Sequence, residues 1–157
     1  MEALREAMRK WVAGVSVVTA RHANLMHGMT VNSLSSVSMD PPRIVVTLSN
    51  QTRTYRLVTE SGMFGVSILS AEQQVLSDRF AGRISDDENR FDGLIVDYLY
   101  ENIPVIHGSL AQLACRVVHV YEMPLSSLFV AEVIDARVDS ATSALVYANR
   151  HYQSLEL

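Results

Sequence analysis

Strand-forming segments outnumber helical ones in this sequence and do not alternate with them. That order disfavours a doubly wound parallel sheet, which needs a helix between successive strands, and favours an antiparallel barrel. The strand signals are runs rich in β-branched residues: GVSVVTA (14–20), Leu25 to Asn32, RIVVTLS (43–49) and GMFGVSIL (62–69). RIVVTLS reads as buried on both faces. Later, LACRVVHVYE sets Leu113, Cys115, Val117, His119 and Tyr121 against Ala114, Arg116, Val118, Val120 and Glu122. FVAEVIDARVD (129–139) follows, with a last short strand near Leu145–Ala148. Asp40-Pro41-Pro42 is punctuation, because proline cannot donate to a ladder and restricts the residue before it.

Helices are few and short. Residues 2–13 put Leu4, Ala7, Met8, Trp11 and Val12 on one face and Glu2, Arg5, Glu6, Arg9 and Lys10 on the other. Gly14 stands where such a helix should stop. Trp11 is expected to anchor this helix, either in a dimer contact or against the core. A second helix is expected over Thr54–Ser61. A third is expected over 71–81, opened by a Ser70/Gln73 capping box, with Val75, Leu76 and Phe80 inward. The polar stretch 82–93 reads as a surface loop. The expectation is one mainly β domain over 1–157 with a few short α-helices.

Composition excludes several functions. At 157 residues and 48% hydrophobic, the chain can build a sizeable core. A net charge of −4 with dispersed Lys and Arg offers no nucleic-acid patch. The single Cys115 forbids an internal disulfide and fits a reducing compartment. The charged MEALREAMRK start lacks a signal core, and no run approaches the ~18 apolar residues of a membrane span. A cytoplasmic protein is expected. There is no G-x-G-x-x-G, P-loop or G-x-S-x-G. The five His are scattered without an H-E-x-x-H, so no metal site is expected; His22 and His27 read as solvated and His119 as a sheet histidine. Asp86, Asp87 and Glu88 read as a surface run rather than a general-acid pair, and Cys115 as a small core residue.

What remains is GMTVNSLSSVSMDPP (28–42), dense in small hydroxyls, and a second such cluster, SNQTRT (49–54). Together they suit a ligand with a flat head, a polyol tail and a phosphate. Thr30, Asn32, Ser33, Ser35 and Ser36 supply close-approach donors, as do Ser49, Asn50, Thr52 and Thr54, and Arg53 supplies a positive charge for phosphate. The other reading of the same residues is a pair of ordinary turns.

The order of segments resembles the flavin reductase-like family, the small reductase components of two-component flavin-dependent monooxygenases. The matching stretches are WVAGVSVVTA, GMTVNSLSSVSMDPPRIVVTLS, SGMFGVSIL, LSDRFAGR with Arg90-Phe91, GSLAQLACRV, LFVAEV and LVYANRHY. The resemblance covers nearly the whole chain. It implies an antiparallel, Greek-key-like split β-barrel working as a homodimer, with FMN or FAD as cofactor and NADH or NADPH as co-substrate. It further implies hydride transfer to the flavin and a monooxygenase partner. Its flavin-contact strand falls on Thr30, Val31, Asn32, Ser33, Leu34, Ser35 and Ser36. Its ribityl and phosphate stretch falls on Thr47, Leu48, Ser49, Asn50, Gln51, Thr52 and Arg53, with Thr54 beside it. Phe80, Ala81 and Arg83 would lie near the flavin or the other subunit, and Ser126 and Tyr152 in the nicotinamide site. One departure stands out: where the family commonly carries Gly-Asp-His, this chain has Pro124, Leu125 and Ser126. That puts nicotinamide use in question, with a flavin binder lacking reductase activity as the alternative.

Overall fold

The computed structural model describes residues 1–83 and 89–157. Asp86, Asp87 and Glu88, and with them the middle of the 82–93 stretch, lie outside the described residues. In chain order the elements are α1 (Glu2–Arg9), β1 (Ala13–Gly14), β2 (Ser16–His22), β3 (Leu25–Val31), β4 (Ser35–Met39), β5 (Pro42–Ser49), α2 (Arg53–Ser61) and β6 (Met63–Ile68). A single 3₁₀ turn then leads into α3 (Gln74–Phe80). Six strands complete the described chain: β7 (Val96–Leu99), β8 (Ile103–Ile106), β9 (Ala111–Glu122), β10 (Ser126–Val138), β11 (Ser143–Ala148) and, after a tight turn, β12 (His151–Glu156).

The main sheet has seven strands in the order β3-β2-β6-β9-β10-β5-β4, with every pairing antiparallel. The fold is the expected mainly β split barrel, and the displacement of β5 from β6 to β10 is its Greek-key-like feature. A small sheet, β1-β11-β12, continues it, and β7-β8 form a separate ribbon. The barrel interior is filled by Val18, Val46, Leu48, Phe64, Val66 and Phe129, with Leu57 and Val58 of α2 closing one end. A second core lies outside β2, where Val17 meets Leu69, Phe80, Phe91, Ile106 and Leu145. Ser16 to Ala20 are therefore buried without interruption, because β2 has a core on each side.

Several expectations are corrected. β5 is not buried on both faces: Ile44, Val46 and Leu48 point into the barrel while Arg43, Val45 and Thr47 are half-buried. The Ser70/Gln73 capping box forms, but it caps the 3₁₀ turn, and the helix proper starts at Gln74. That phase turns Val75 out to 61% exposure and turns Ser77 and Phe80 in. α1 buries no residue and Trp11 is 66% exposed, which removes the core-packing alternative for it. β4, β7, β8 and β12 are additional strands. Cys115 is a core residue as expected, and burial pushes its thiol up to about 12.

Candidate functional site

Strands β3 and β5 are not paired in the main sheet, and the first hydroxyl cluster lies where the chain passes from β3 to β4 alongside β5. The Ser33 hydroxyl donates to the Thr47 carbonyl (3.2 Å) and accepts from the Thr47 N–H (3.0 Å), extending the β4–β5 register, in which Ser35 stands opposite Val45. This fixes the Asn32–Ser33 corner and leaves the Asn32 side chain exposed. Leu34 packs inward against the barrel core, whereas Ser35 and Ser36 are exposed on the edge strand β4.

The second cluster packs on the same strand. Thr52 caps α2, accepting from the Tyr55 N–H at 3.1 Å, and its Oγ1 lies 3.5 Å from the Met29 sulfur. Thr54 is fully buried and hydrogen-bonded to the His27 Nδ1 at 2.8 Å. Both clusters thus touch β3, the first through Thr30 and the second through Met29 and His27, but they line separate concavities. His27 is half-buried rather than solvated, and burial, with Arg90 and Arg53 adding repulsion, lowers its pKa to about 4. The imidazole is neutral near pH 7, so Arg53 carries the charge at this end of α2. Asn50 joins the hairpin between β9 and β10 to the start of α2: its Nδ2 donates to the Met123 carbonyl (2.7 Å), and its Oδ1 accepts from the Ser127 hydroxyl (2.8 Å).

Three concavities take up the remaining residues. A cleft of about 200 Å³ is lined by Thr30, Val31, Asn32, Ala81, Arg83 and Tyr152. A wider groove of about 580 Å³ shares Asn32 and adds Ser33. A third, of about 440 Å³, runs along α2 past Asn50, Gln51 and Thr52. Arg53 and Ser49 are exposed and line none of the three. Leu48, Thr54 and Phe80 are fully enclosed, so their side chains build the walls and do not face the openings. Ser126 stands opposite Ser49 at the start of β10, whereas Tyr152 is on β12 against α3. The two expected nicotinamide residues therefore belong to different walls.

The 200 Å³ cleft has an aromatic, hydrogen-bonded side of which the sequence pointed to Tyr152 and Arg83 but not to Tyr147, Ser77 or Asp78. Tyr147 and Tyr152 face each other across the β11–β12 ladder, rings 5.2 Å apart and edge to face. The Tyr152 hydroxyl donates to Asp78 (3.1 Å) and accepts from Ser77 (2.7 Å), while Thr30 donates to the Ser77 carbonyl at 2.6 Å. Burial, reinforced by the Asp78 carboxylate, pushes the Tyr152 phenol up. Arg83 sits 3.5 Å from Asp78 and over the Tyr147 ring at 5.9 Å. Behind this wall the Arg90 guanidinium donates to the carbonyls of Gly28 (3.0 Å) and Phe80 (2.8 Å). A pair of tyrosines flanking a two-residue turn was the available signal for it.

These features fit a flavin. An aromatic-walled cleft with Asn32 at its rim suits a ring system, and the N-terminal turn of α2 with Arg53 suits a phosphate. Among the described residues, no group of three or more His, Cys, Asp or Glu is placed to hold a metal ion. Nor is any helix among them long and apolar enough to cross a membrane.

The comparisons with known proteins agree. Residues 8–156 match the family model described as flavin reductase like domain. An NADH-dependent flavin reductase of a Rhodococcus species is 32% identical, covering 98% of this chain and 86% of that protein. The reductase component of an FADH(2)-dependent resorcinol hydroxylase from Rhizobium is 35% identical over 94% of this chain and 83% of its own. The structure of the flavin reductase PheA2 superposes with a TM-score of 0.89 at 31% identity, covering 99% of this chain and 98% of that one. With the split barrel and the aromatic cleft in place, this chain belongs to the flavin reductase-like family.

Proposed function

We propose that this protein is an NAD(P)H-dependent flavin reductase that reduces FMN or FAD and supplies the reduced flavin to a partner monooxygenase. The observation that carries the reading is the family match over 8–156, joined by relatives named as NADH-dependent reductases and monooxygenase reductase components. Bound here, the flavin would supply the hydride-accepting ring; the protein's part is positioning. Thr30, Val31, Asn32, Ser33, Leu34, Ser35 and Ser36 would hold the ring side. Along Thr47 to Thr54, the exposed Ser49, Gln51 and Arg53 would hold the tail, with Arg53 and the α2 N-terminus on the phosphate, while the enclosed Leu48 and Thr54 would support that stretch from within. Phe80, Ala81 and Arg83 back the ring, and Tyr152, held by Ser77 and Asp78, orients the nicotinamide. Ser126 would touch the co-substrate from the β9–β10 hairpin. No proton donor or nucleophile in the cleft is needed, because the covalent change lies between the two bound rings.

The working unit would be a homodimer. On the outward face of β4 and β5, Val37 and Met39 are exposed, and the Arg43 Nε is buried without a hydrogen-bond partner. A second subunit over that face would cover Val37 and Met39. A cytoplasmic location fits the single buried thiol of Cys115.

The hairpin Pro124–Ser126 holds no imidazole and exposes Leu125 by 74%, which favours a second reading of flavin binding without nicotinamide turnover. Steady-state assays pairing NADH or NADPH with FMN or FAD separate the two. Falling NAD(P)H absorbance supports the reductase; flavin binding with unchanged absorbance leaves only the second reading.

A further inference from the structure

A cavity of about 400 Å³ lies at the C-terminal end of α2, and it shares no lining residue with the Tyr152 cleft or the wider groove beside that cleft. Three turns meet around it. The β2–β3 hairpin brings Arg21 and Ala23, the end of α2 brings Glu60, and the link from β7 to β8 brings Glu101 and Asn102. Its floor is rigid. The Pro104 carbonyl accepts from the Thr19 hydroxyl, and a Cβ on Gly65 would collide with that carbonyl, so β8 lies flush on β6.

The walls combine strained backbone with unanswered charge. Of the five non-glycine residues with left-handed φ among the described residues, three line this one cavity: Ala23 (52°), Glu101 (57°) and Asn102 (61°). Asparagine tolerates that region, but alanine and glutamate adopt it at a cost that glycine would avoid. At position 101 that cost sets a carboxylate in the wall, and the Tyr100 N–H, donating to the Asp135 carboxylate at 3.2 Å, ties the turn to β10. Arg21, Glu60 and Glu101 are all exposed, and among the described residues none of them takes part in an ion pair. Opposite charges therefore line one cavity without closing on each other. Glu60 also stands in the last turn of α2, which holds no basic residue. The carbonyl end of a helix favours a cation and disfavours a carboxylate, so α2 ends with the wrong charge for its own dipole.

We propose that this cavity binds an amino-acid zwitterion. Glu60, Glu101 and the carbonyl end of α2 hold its ammonium, Arg21 holds its carboxylate, and its side chain lies against the half-buried Met63. The ammonium gives α2 the positive charge that its own last turn lacks. The guanidinium fork matches a carboxylate two oxygens at a time. A ligand with one charge would leave the other side of the wall unanswered. The volume lies within the range of small-molecule sites. Nothing in the proposal draws on the flavin site, so it stands or falls independently of the reductase reading.

The test titrates three probes into the intact protein by calorimetry: L-leucine, isoamylamine, which is leucine without its carboxylate, and isocaproate, which is leucine without its amine. Wild type should bind leucine, and each one-headed analogue roughly 10-fold more weakly or worse. Arg21→Gln should weaken leucine and isocaproate by about that factor and leave isoamylamine unchanged. The Glu60→Gln/Glu101→Gln pair should weaken leucine and isoamylamine and leave isocaproate unchanged. All three side chains are exposed, so the variants should keep the fold, with circular dichroism as the check. The comparison of probes on wild type needs no variant at all. Wild type that ignores leucine overturns the proposal. So does isoamylamine or isocaproate binding as tightly as leucine, or leucine binding that is indifferent to every substitution.

Discussion

Acidification should destabilise this protein through His27 before its carboxylates are titrated. The imidazole has an ordinary pKa of 6.5 in the unfolded chain and about 4 in the fold, chiefly through burial, with Arg90 and Arg53 repelling the proton. The folded state therefore refuses a proton that the unfolded state accepts. Stability is unaffected by this group above pH 6.5, falls as pH drops from 6.5 towards 4, and levels off below. The difference of 6.5 − 4 = 2.5 in pKa sets a ceiling of about 3 kcal/mol at 1.36 kcal/mol per unit. Because the ring is only half-buried, solvent screening reduces this to ~1–2 kcal/mol. Replacing His27 with Asn keeps a polar atom near Thr54 and removes the titration. Urea unfolding of both proteins at several pH values between 4 and 7 gives the comparison. The wild type should lose ~1–2 kcal/mol more than His27→Asn across that window. Parallel stability curves would refute the account and mean that the imidazole escapes its surroundings when it charges.

Replacing Arg53 with Ala should weaken FMN binding by ~1.5–3 kcal/mol without altering the urea midpoint, read by flavin fluorescence quenching; an unchanged Kd removes Arg53 from the phosphate site. Gly28→Ala should cost ~1–3 kcal/mol, because the added Cβ would stand 2.9 Å from a Phe80 ring carbon and 3.1 Å from the Val18 carbonyl. Phe80 cannot yield easily, being fully buried and edge-on to Phe91 at 5.1 Å, so a thermal shift of zero would show that this wall is soft. The Cys115 thiol, pushed up to about 12 by burial, should resist a thiol-reactive dye at pH 8 in the native protein and react once urea unfolds it. Fast labelling of the folded protein would count against that buried position.

The parts of the fold legible in the sequence are those where burial writes a pattern. The β-branched runs of β2, β5, β6 and β10 were readable because they line a core, and the capping box was readable because it is a local contact. β4 and β12 escaped for the opposite reason. Ser35–Met39 is an edge strand, mostly exposed, and His151–Glu156 is exposed at all but Tyr152, so neither carries an alternating stripe. The outward half-exposure of β5 depends on what packs over that face of the sheet, which no window of residues records. In the candidate site, hydroxyl-rich strand ends were visible, but their division of labour was not. Ser33 and Thr54 bond to the scaffold itself, and only the fold distinguishes such residues from Asn32, whose side chain stays exposed. Tyr147 enters the cleft through its register opposite Tyr152, a relation set by the β11–β12 turn.

The segment from Ser16 to Ala20 is a party wall. With Val18 in one apolar compartment and Val17 in the other, neither compartment can open while its neighbour stays shut. The barrel and the aromatic annex around Phe80 must melt as one body, so damage on the annex side is felt in the barrel across a single strand's thickness.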